Sequence, residues 1–429
     1  MMKLTENFSF KNWAGNVKTS AKYFAQPENE NEIIGLVKSH AKVRVVGTGH
    51  SWSDHFSTDG LLMNLDKYNR VIAIDKQLKT IKVQAGIKLW ELNVLLDKEG
   101  LALINLGSID KQSLAGAIST GTHGTGINFQ CLASQVLEFS LIKADGTIQV
   151  FKRGHDDFNG AIVNLGALGV VSEMTLQVTD AFNLHDKTYT IDFEELIDKI
   201  DELIYGNDHF KIWWLPPAKK AVVYTYKRTQ EPVNDSRLRQ IFKDEIISVV
   251  GYRTLVKIGN LRPAWRRPIN TFLTQQFDKP LDRIEKSFKV FNVPEPPKHR
   301  ETEWAFDVAR AKEILTDYKK LLTDTEHTFN FIQEIRFTKG DDFWLSECHG
   351  RDTIWIGAYN HLDKQWSGIL KEFETFALAR NGRPHWGKEF TIDSHQVELM
   401  YPKYGAFVEM RKALDPTGKF ENELMGRLF

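Results

Sequence analysis

Three clusters of residues have the types and spacing to do chemistry. The first is Val43 to Ser51, Val-Arg-Val-Val-Gly-Thr-Gly-His-Ser, where strand-forming residues enter a glycine turn ending on histidine and serine. Glycines at Gly47 and Gly49 let backbone N–H groups close on a phosphate with no Cβ in the way. No third glycine opens a helix, so this is not a G-x-G-x-x-G fingerprint, and an NAD(P)-linked dehydrogenase is disfavoured. The second cluster, Ser113 to Gly126, reads Ser-Leu-Ala-Gly-Ala-Ile-Ser-Thr-Gly-Thr-His-Gly-Thr-Gly and follows about seventy residues later. Two such loops suggest one elongated, phosphate-bearing cofactor held from two sides.

The third cluster lies in the C-terminal half. In Phe331-Ile-Gln-Glu-Ile-Arg-Phe337 the strand period puts Glu334 and Arg336 on one face, with isoleucine flanking each. A carboxylate beside a guanidinium on a mostly apolar strand is unusual unless paired or functional. Trp355, Gly357 and Tyr359 share a face of the next strand, aromatic and small, as a pocket floor would be. His385-Trp386-Gly387-Lys388 brings a second cation with an indole to shield it. Together these make a polar pocket of sugar size.

The elements that must carry these clusters follow from periodicity. A helix over about Asn29–His40 precedes the strand Val43–Val46. Leu61–Leu65, Val71–Ile74 and Ile81–Ala85 read as short strands, and Leu89, Leu92, Leu95 and Leu96 as a helix that Gly100 caps. Val136–Lys143 and Ile148–Phe151 form a hairpin about Asp145-Gly146, and Val171–Val178 a strand. Near Asp180 glycine thins and aromatics increase. Beyond it the pattern predicts a helix Phe193–Ile204, strands His209–Leu215 and Ala221–Tyr226, and strands Glu303–Val308, Phe329–Phe337 and Thr353–Tyr359. Helices are expected at Ala309–Leu322 and Gln365–Arg380. Glu231–Arg300, rich in proline and basic residues, resists assignment and reads as surface elaboration.

Bulk properties narrow the function classes. At 429 residues two domains are expected, and 42% apolar with 26% charged residues suits a globular chain with a large core. Lys+Arg and Asp+Glu both total 56, so no global field recruits nucleic acid or an anionic membrane. No apolar run approaches the roughly eighteen residues of a spanning helix. Met1–Asn16 has no hydrophobic core of a signal peptide, so the cytoplasm is the expected compartment. Cys131 and Cys348 form neither a metal-spaced cluster nor a disulfide framework and are expected as inert buried thiols; no metal site is expected.

Asn12-Trp13-Ala14-Gly15-Asn16, Gly47-Thr48-Gly49-His50-Ser51, Ser119-Thr120-Gly121-Thr122-His123-Gly124, Glu334-x-Arg336, His385-Trp386-Gly387-Lys388 and the closing Asp415-Pro-x-Gly-x-Phe420 occur in this order. The set resembles the vanillyl-alcohol-oxidase type of FAD enzymes, in the branch of alditol (xylitol) oxidases and aldonolactone oxidases. The resemblance covers nearly the whole chain and leaves out only Glu231–Arg300. It implies an α+β, two-domain fold: an FAD-binding domain over residues 1–180, an antiparallel-sheet substrate domain over 181–380, and a tail, 381–429, returning to the first. It implies FAD joined covalently through His50, and chemistry allows this, since an imidazole nitrogen is a competent nucleophile toward an activated methyl.

The resemblance further implies cofactor contacts from Val45, Val46, Gly47, Thr48, Gly49, His50 and Ser51. The second loop would add Gly107, Ser108, Ser113, Leu114, Ala115, Gly116, Thr120, Gly121, Thr122 and His123, with Val171 and His385 beside them. Arg336 and Lys388 would supply fixed positive charge, Glu334 would bind a substrate hydroxyl, and Ser108 would touch the substrate with Tyr359 as wall. Gly107, being small, would leave O2 a path to the flavin. The first reading is an alditol oxidase turning a polyol's terminal CH–OH into an aldehyde while O2 becomes H2O2. The alternative is an aldono-1,4-lactone oxidase, favoured by Asn105-Leu106-Gly107-Ser108-Ile109 and Arg336-Phe-Thr-Lys-Gly-Asp-Asp342. A second alternative is a non-catalytic flavin-binding protein. Competing structural readings make Glu334–Arg336 a plain ion pair, Trp386–Lys388 a surface cation–π contact, Ser108 a helix cap, and Trp213 and Trp214 core.

Overall fold

A computed structural model describes residues 4–234, 251–361 and 365–429. The described chain opens as a hairpin, β1 (Thr5–Lys11) and β2 (Lys18–Ala25), with Asn12–Asn16 as its turn. Asn12 Oδ1 holds that turn by accepting from the N–H groups of Gly15 and Val17. Gly15 sits at φ +84°, where a Cβ would be strained. The helix Glu30–Ser39 then crosses to β3 (Val43–Val46); Asn29 caps it by accepting from Glu32 N–H at 3.0 Å. β3 pairs in parallel with β4 (Leu61–Asn64), and β4 with β2, giving the order β1-β2-β4-β3.

A second sheet is antiparallel, from β5 (Val71–Asp75) and β6 (Thr80–Gln84), then, after β7 (Leu101–Ala102), β8 (Val136–Ile142), β9 (Ile148–Lys152) and β10 (Val170–Gln177). Its order is β5-β6-β10-β8-β9. The β8–β9 hairpin turns where Asp-Gly predicted it, with Gly146 at φ +80°. A short strand, β11 (Thr179–Asp180), pairs with β7.

The remaining strands make one antiparallel sheet: β12 (Asn183–Asp192), β13 (His209–Trp214), β14 (Lys220–Thr229), β15 (Leu281–Lys286), β16 (His299–Asp307), β17 (Gln333–Thr338), β18 (Thr353–His361) and β19 (Arg383–Pro384). The order is β15-β12-β14-β13-β17-β18-β16-β19. Helices Ala311–Asp324 and Trp366–Leu378 bury Ile314, Leu315 and Tyr318, and Trp366, Ile369 and Phe373. Each such side chain contributes about 1.5–3 kcal/mol when fully withdrawn from water.

Three expectations are corrected. The helix over Phe193–Ile204 is two, Phe193–Asp198 and Ile200–Tyr205, broken at Lys199; the apolar spacing runs unbroken through the joint, so periodicity hides it. The strand from Phe329 begins only at Gln333, because Phe329 O accepts from Asn270 and Asn330 N–H donates to the Asn360 side chain. Within Glu231–Arg300, helices Tyr252–Leu261, Arg266–Gln275 and Ser287–Phe291 accompany β15; residues 235–250 of that unassigned stretch lie outside the described residues.

Two seams place the clusters against each other. The second glycine stretch zips onto β17, with Gly126 N–H donating to Phe337 O at 2.7 Å and Lys339 N–H to Phe129 O at 2.9 Å. Gly126, at φ +121°, is pressed against Asp208 O and Phe129, so a side chain has no room. The C-terminal residues return to β3: Val43 N–H donates to Lys419 O at 2.9 Å, while Asp415 accepts from the N–H groups of Lys419 and Phe420. Arg383–Pro384, by contrast, extends the edge of the large sheet at β16.

Candidate active site

Between the two glycine loops lies a cleft. Val45, Val46, Gly47, Thr48, Gly49, His50 and Ser51 form one wall. Ser113, Ala115, Gly116 and Thr120 form the other, with Val171 beside them. A Cβ on Gly47 would collide with Ser113 Oγ, so glycine is what lets the walls approach. The Asn12–Asn16 turn braces the first loop: Trp13 N–H donates to Gly49 O at 2.8 Å, and Asn12 Nδ2 to Ser51 O at 2.9 Å. The Trp13 indole stacks on His50, ring centroids 5.8 Å apart.

His50 Nδ1 lies 2.9 Å from Thr48 Oγ1, while buried Nε2 has no hydrogen-bond partner among the described residues and lies 3.7 Å from Glu295 Oε1. Burial, then Lys388, Lys88 and Lys111, push the imidazole down to about 4, so it is neutral at ordinary pH. The residues fit a flavin nucleotide: a cradle that one Cβ would fill, backbone-rich walls for phosphate, and an uncharged histidine whose Nε2 makes no hydrogen bond among the described residues.

The tail delivers the second cation to the same loop. Trp52 N–H donates to Gly387 O at 2.8 Å, and Lys388 Nζ stands 4.3 Å above the Trp52 ring while pairing with Glu301 Oε1 at 2.5 Å. The indole shielding Lys388 is therefore Trp52. Trp386 is fully buried, donates to Leu345 O and stacks on Tyr401, which removes the surface cation–π reading.

Arg336 is held by more than its neighbour on the strand. Its Nη2 pairs with Glu303 Oε1 at 2.8 Å, Nη1 donates to His123 O at 3.2 Å, and Nε is 3.4 Å from Glu334 Oε2. That Nε is buried and makes no hydrogen bond among the described residues. Glu334 Oε1 accepts from Trp213 Nε1 at 3.0 Å and Ser108 Oγ at 3.3 Å, with Lys211 Nζ 3.4 Å away. Burial alone would raise its carboxyl, but Arg336, Lys211 and Trp213 bring it down to about 2. Glu303, also buried, is held well below the usual range chiefly by Arg336. Tyr359 Oη is buried without a hydrogen-bond partner among the described residues; burial first, then the charges of Glu303 and Glu301, drive its pKa well up.

Beneath lies a dry layer. His123 stacks on Trp355 at 3.6 Å, with Nε2 3.7 Å from Glu303 Oε2. His385 Nδ1 is 3.1 Å from Glu347 Oε1, whose carboxyl burial raises well above its ordinary value. Burial lowers both histidines. The three side chains His123, Glu303 and His385 have metal-ligand spacing, yet Arg336 already neutralises Glu303.

Residues 174–428 match the family model described as D-arabinono-1,4-lactone oxidase, and residues 21–152 match that of an FAD binding domain. The chain belongs to the D-arabinono-1,4-lactone oxidase family. It is thus an FAD-dependent oxidase of the vanillyl-alcohol-oxidase type, acting on CH–OH donors. The match runs through Glu231–Arg300, so that stretch is part of the family pattern after all. L-Gulonolactone oxidase of Mus musculus is 33% identical over 98% of both chains. L-Gulono-1,4-lactone dehydrogenase of Mycobacterium tuberculosis is 30% identical over 97% of this chain and 98% of its own. Alditol oxidase of a Streptomyces species is 29% identical over 96% of this chain and 97% of its own. In fold, the chain matches the solved structure of cholesterol oxidase from Brevibacterium sterolicum, with TM-score 0.85, 15% identity, and coverage of 100% and 97%.

Some family-implied contacts do not line the cleft. Leu114 packs in the core; Gly121 backs onto the Glu347 carboxylate; Thr122 accepts from Gln112. His123 and His385 belong to the dry layer between cleft and cage. Gly107 and Ser108 lie in a loop tied to residues 292–293, through Asn292 Nδ2 to Gly107 O at 3.0 Å and Val293 N–H to Ser108 O at 2.9 Å. Ser108 caps no helix, since the next begins at Leu114; its hydroxyl faces Glu334. Trp214 is core, but Trp213 belongs to the site.

Sequence reasoning missed Arg44, Lys211 and Glu303. Buried Arg44 donates to His55 O, Leu165 O, Gly166 O and Phe420 O, tying the tail to the cleft. Each missed residue carries the signal that identified Arg336: a charge inside an apolar strand, in Val-Arg-Val-Val, Phe-Lys-Ile-Trp and Thr-Glu-Trp-Ala.

Proposed function

We propose that the chain oxidises the hydroxyl-bearing carbon of an aldono-1,4-lactone, of the gulono, galactono or arabinono type, to an ascorbate-type product, with O2 reduced to H2O2. The observation that carries this reading is the buried cluster around β17: an ionised Glu334, and an Arg336 Nε and a Tyr359 hydroxyl that make no hydrogen bond among the described residues. A buried phenol whose hydroxyl has no hydrogen bond among the described residues can donate to a lactone carbonyl, a group that an alditol lacks. The lactone relatives, matched over nearly their whole length, support the same choice.

Gly47–Ser51 and Ser113–Thr120 would hold FAD, which when bound would supply the hydride acceptor and the redox link to O2. The chain's own residues do the rest. Glu334, ionised above about pH 2, accepts a hydrogen bond from a substrate hydroxyl and fixes the ring. Arg336 Nε–H and the Lys388 ammonium place fixed positive charge where oxygen becomes alkoxide-like, at no reorganisation cost during reaction. Tyr359 Oη–H offers a donor to the lactone carbonyl. Neutral His50 is the nucleophile for covalent attachment of the flavin. Gly107, lacking a side chain, would leave O2 a path to the flavin.

The alditol reading stands second, favoured by Ser108 and by Phe390-Thr391 after His-Trp-Gly-Lys, and by the Streptomyces relative. H2O2 release with L-gulono- or D-arabinono-1,4-lactone, set against xylitol, separates the two. Faster turnover of a lactone is expected; faster turnover of xylitol reverses the assignment.

A further inference from the structure

β13 carries a buried lysine on the face that β17 turns to the site. In His209-Phe-Lys-Ile-Trp213 the strand period puts Lys211 on the same face as Trp213, with Phe210 and Ile212 packed in the core behind. In register, Lys211 stands opposite Arg336 on β17 and opposite Tyr224 on β14. Two buried cations facing each other across a ladder repel. Glu334 reconciles them: its Oε1 lies 3.4 Å from Lys211 Nζ, and its Oε2 lies 3.4 Å from Arg336 Nε.

Charge balance around this carboxylate requires Lys211. Arg336 is drawn more closely to Glu303 Oε1, at 2.8 Å, and Lys388 pairs with Glu301 Oε1 at 2.5 Å. On the other side, Arg283 of β15 pairs with Asp186 of β12 at 2.9 Å. Among the described residues Glu334 is the one carboxylate within ion-pair distance of Lys211. Ring faces hold the ammonium in place, 4.9 Å from the Trp213 centroid and 5.1 Å from that of Tyr224. Burial lowers the Lys211 pKa; Glu334 opposes this most, Arg336 adds to it, and Asp186 opposes it. Oε1 of Glu334 thus gathers Trp213 Nε1, Ser108 Oγ and Lys211 Nζ, while Oε2 turns toward Arg336.

We propose that Lys211 is a positioning residue for the substrate: it anchors Glu334 Oε1, so that Oε2 stays charged and faces the lactone hydroxyl. This rests on the reading of Glu334 as acceptor of that hydroxyl. Lys211 touches no substrate; it acts through the carboxylate. The groups facing Glu334 are Arg336 on its own strand, Lys211 and Trp213 on β13, Tyr226 on β14, Ser108 in its loop, Tyr359 on β18 and Glu303 on β16. Of these only Arg336 and Lys211 favour the ionised carboxyl by their charge, and Arg336 is shared with Glu303. The lactone binds to ionised Glu334. Removing the Lys211 charge raises the Glu334 pKa, so the acid limit of lactone binding moves to higher pH.

The test is the KM for L-gulono-1,4-lactone of the FAD-loaded protein, followed from about pH 8 down to about pH 4.5, across the ordinary approach to carboxyl titration. Wild-type KM should stay within about twofold over that range, because Glu334 remains ionised throughout. Lys211→Met should show a KM that climbs severalfold on the acid side, and Lys211→Arg, which keeps the charge, should follow the wild type. The flavin spectrum before mixing reports folding; should Lys211→Met lose its flavin, Lys211→Gln carries the same expectation. Glu334→Gln should raise KM and show no acid limb, and adding Lys211→Met to it should change KM by less than about twofold, since both act on one interaction. A Lys211→Met profile parallel to the wild type, a Lys211→Arg profile shifted as far as Lys211→Met, or an equal effect of Lys211→Met with and without Glu334 overturns the proposal while leaving Glu334 its role. A Glu334→Gln protein with wild-type KM overturns the reading of Glu334 itself, and the proposal with it.

Discussion

Replacing Arg336 with alanine tests the cage at its centre. The guanidinium faces Glu303 at 2.8 Å and Glu334 at 3.4 Å and donates to His123 O at 3.2 Å. Its loss leaves two buried carboxylates without their main counter-charge, and breaking such a pair costs about 3–5 kcal/mol of stability. In the reaction, one preorganised donor to a developing oxyanion is worth about 2.7–4 kcal/mol, or 10²–10³ in rate. Arg336→Ala should therefore slow anaerobic flavin reduction by L-gulono-1,4-lactone by roughly 10²–10³-fold. FAD should stay bound, because its cleft is built from the glycine loops and not from β17. Arg336→Lys keeps a positive charge but loses the fork that serves two partners at once, so its rate should fall between the two. Stopped-flow absorbance at the flavin band measures all three proteins, and the spectrum before mixing reports retention. Arg336→Ala reducing its flavin within about threefold of wild type would refute the electrostatic role, since that is under 1 kcal/mol.

Trp213→Phe removes the 3.0 Å N–H donor to Glu334 and should cost about 1 kcal/mol. That appears as a several-fold rise in KM for the lactone, and an unchanged KM would place Trp213 outside the site. Covalent attachment should be insensitive to pH from 5 to 8: only protonated imidazole loses its nucleophilic lone pair, and the His50 pKa is lowered to about 4, so the rate falls only as pH drops toward that value. Timed acid precipitation of apo-chain incubated with FAD checks this, and an inflection near the ordinary histidine pKa of about 6.5 would contradict it. At Gly107 even a Cβ would meet His123 O at 3.2 Å and Thr122 Cγ2 at 3.3 Å. Gly107→Leu should slow reoxidation by O2 while sparing reduction by substrate, measured as separate half-reactions.

Local chemistry was the most legible part of this sequence. Turn residues and apolar spacing located the strand before Gly47, the hairpin at Asp145-Gly146 and the helix after Lys88, because each is decided by its own neighbours. Glu334 and Arg336 were legible as a pair by strand period, but their real partners were not. Glu303 reaches Arg336 across β16 and β18, and Lys211 reaches Glu334 across β13 and β17. Such register is set by sheet order, which one sequence does not state. The same limit misassigned the indole over Lys388, since Trp52 comes from the first loop only after the tail has folded back. At Lys199 the failure was of another kind: continuous apolar spacing masks a helix break that the backbone makes. The basic character of Glu231–Arg300 was legible, but its helices Tyr252–Leu261 and Arg266–Gln275 were not, because prolines interrupt the apolar spacing.

The most direct measurement is a visible absorption spectrum of the purified protein, taken before and after acid precipitation and then under nitrogen with L-gulono-1,4-lactone. A flavin held between the glycine loops and joined to His50 should give a yellow protein whose pellet stays yellow and whose soluble form bleaches on adding lactone. His50→Ala should release the colour to the supernatant. A colourless protein that takes up no FAD would contradict the central reading. A flavin that washes out of the wild-type pellet, or that no lactone bleaches, would contradict its attachment or its chemistry in turn.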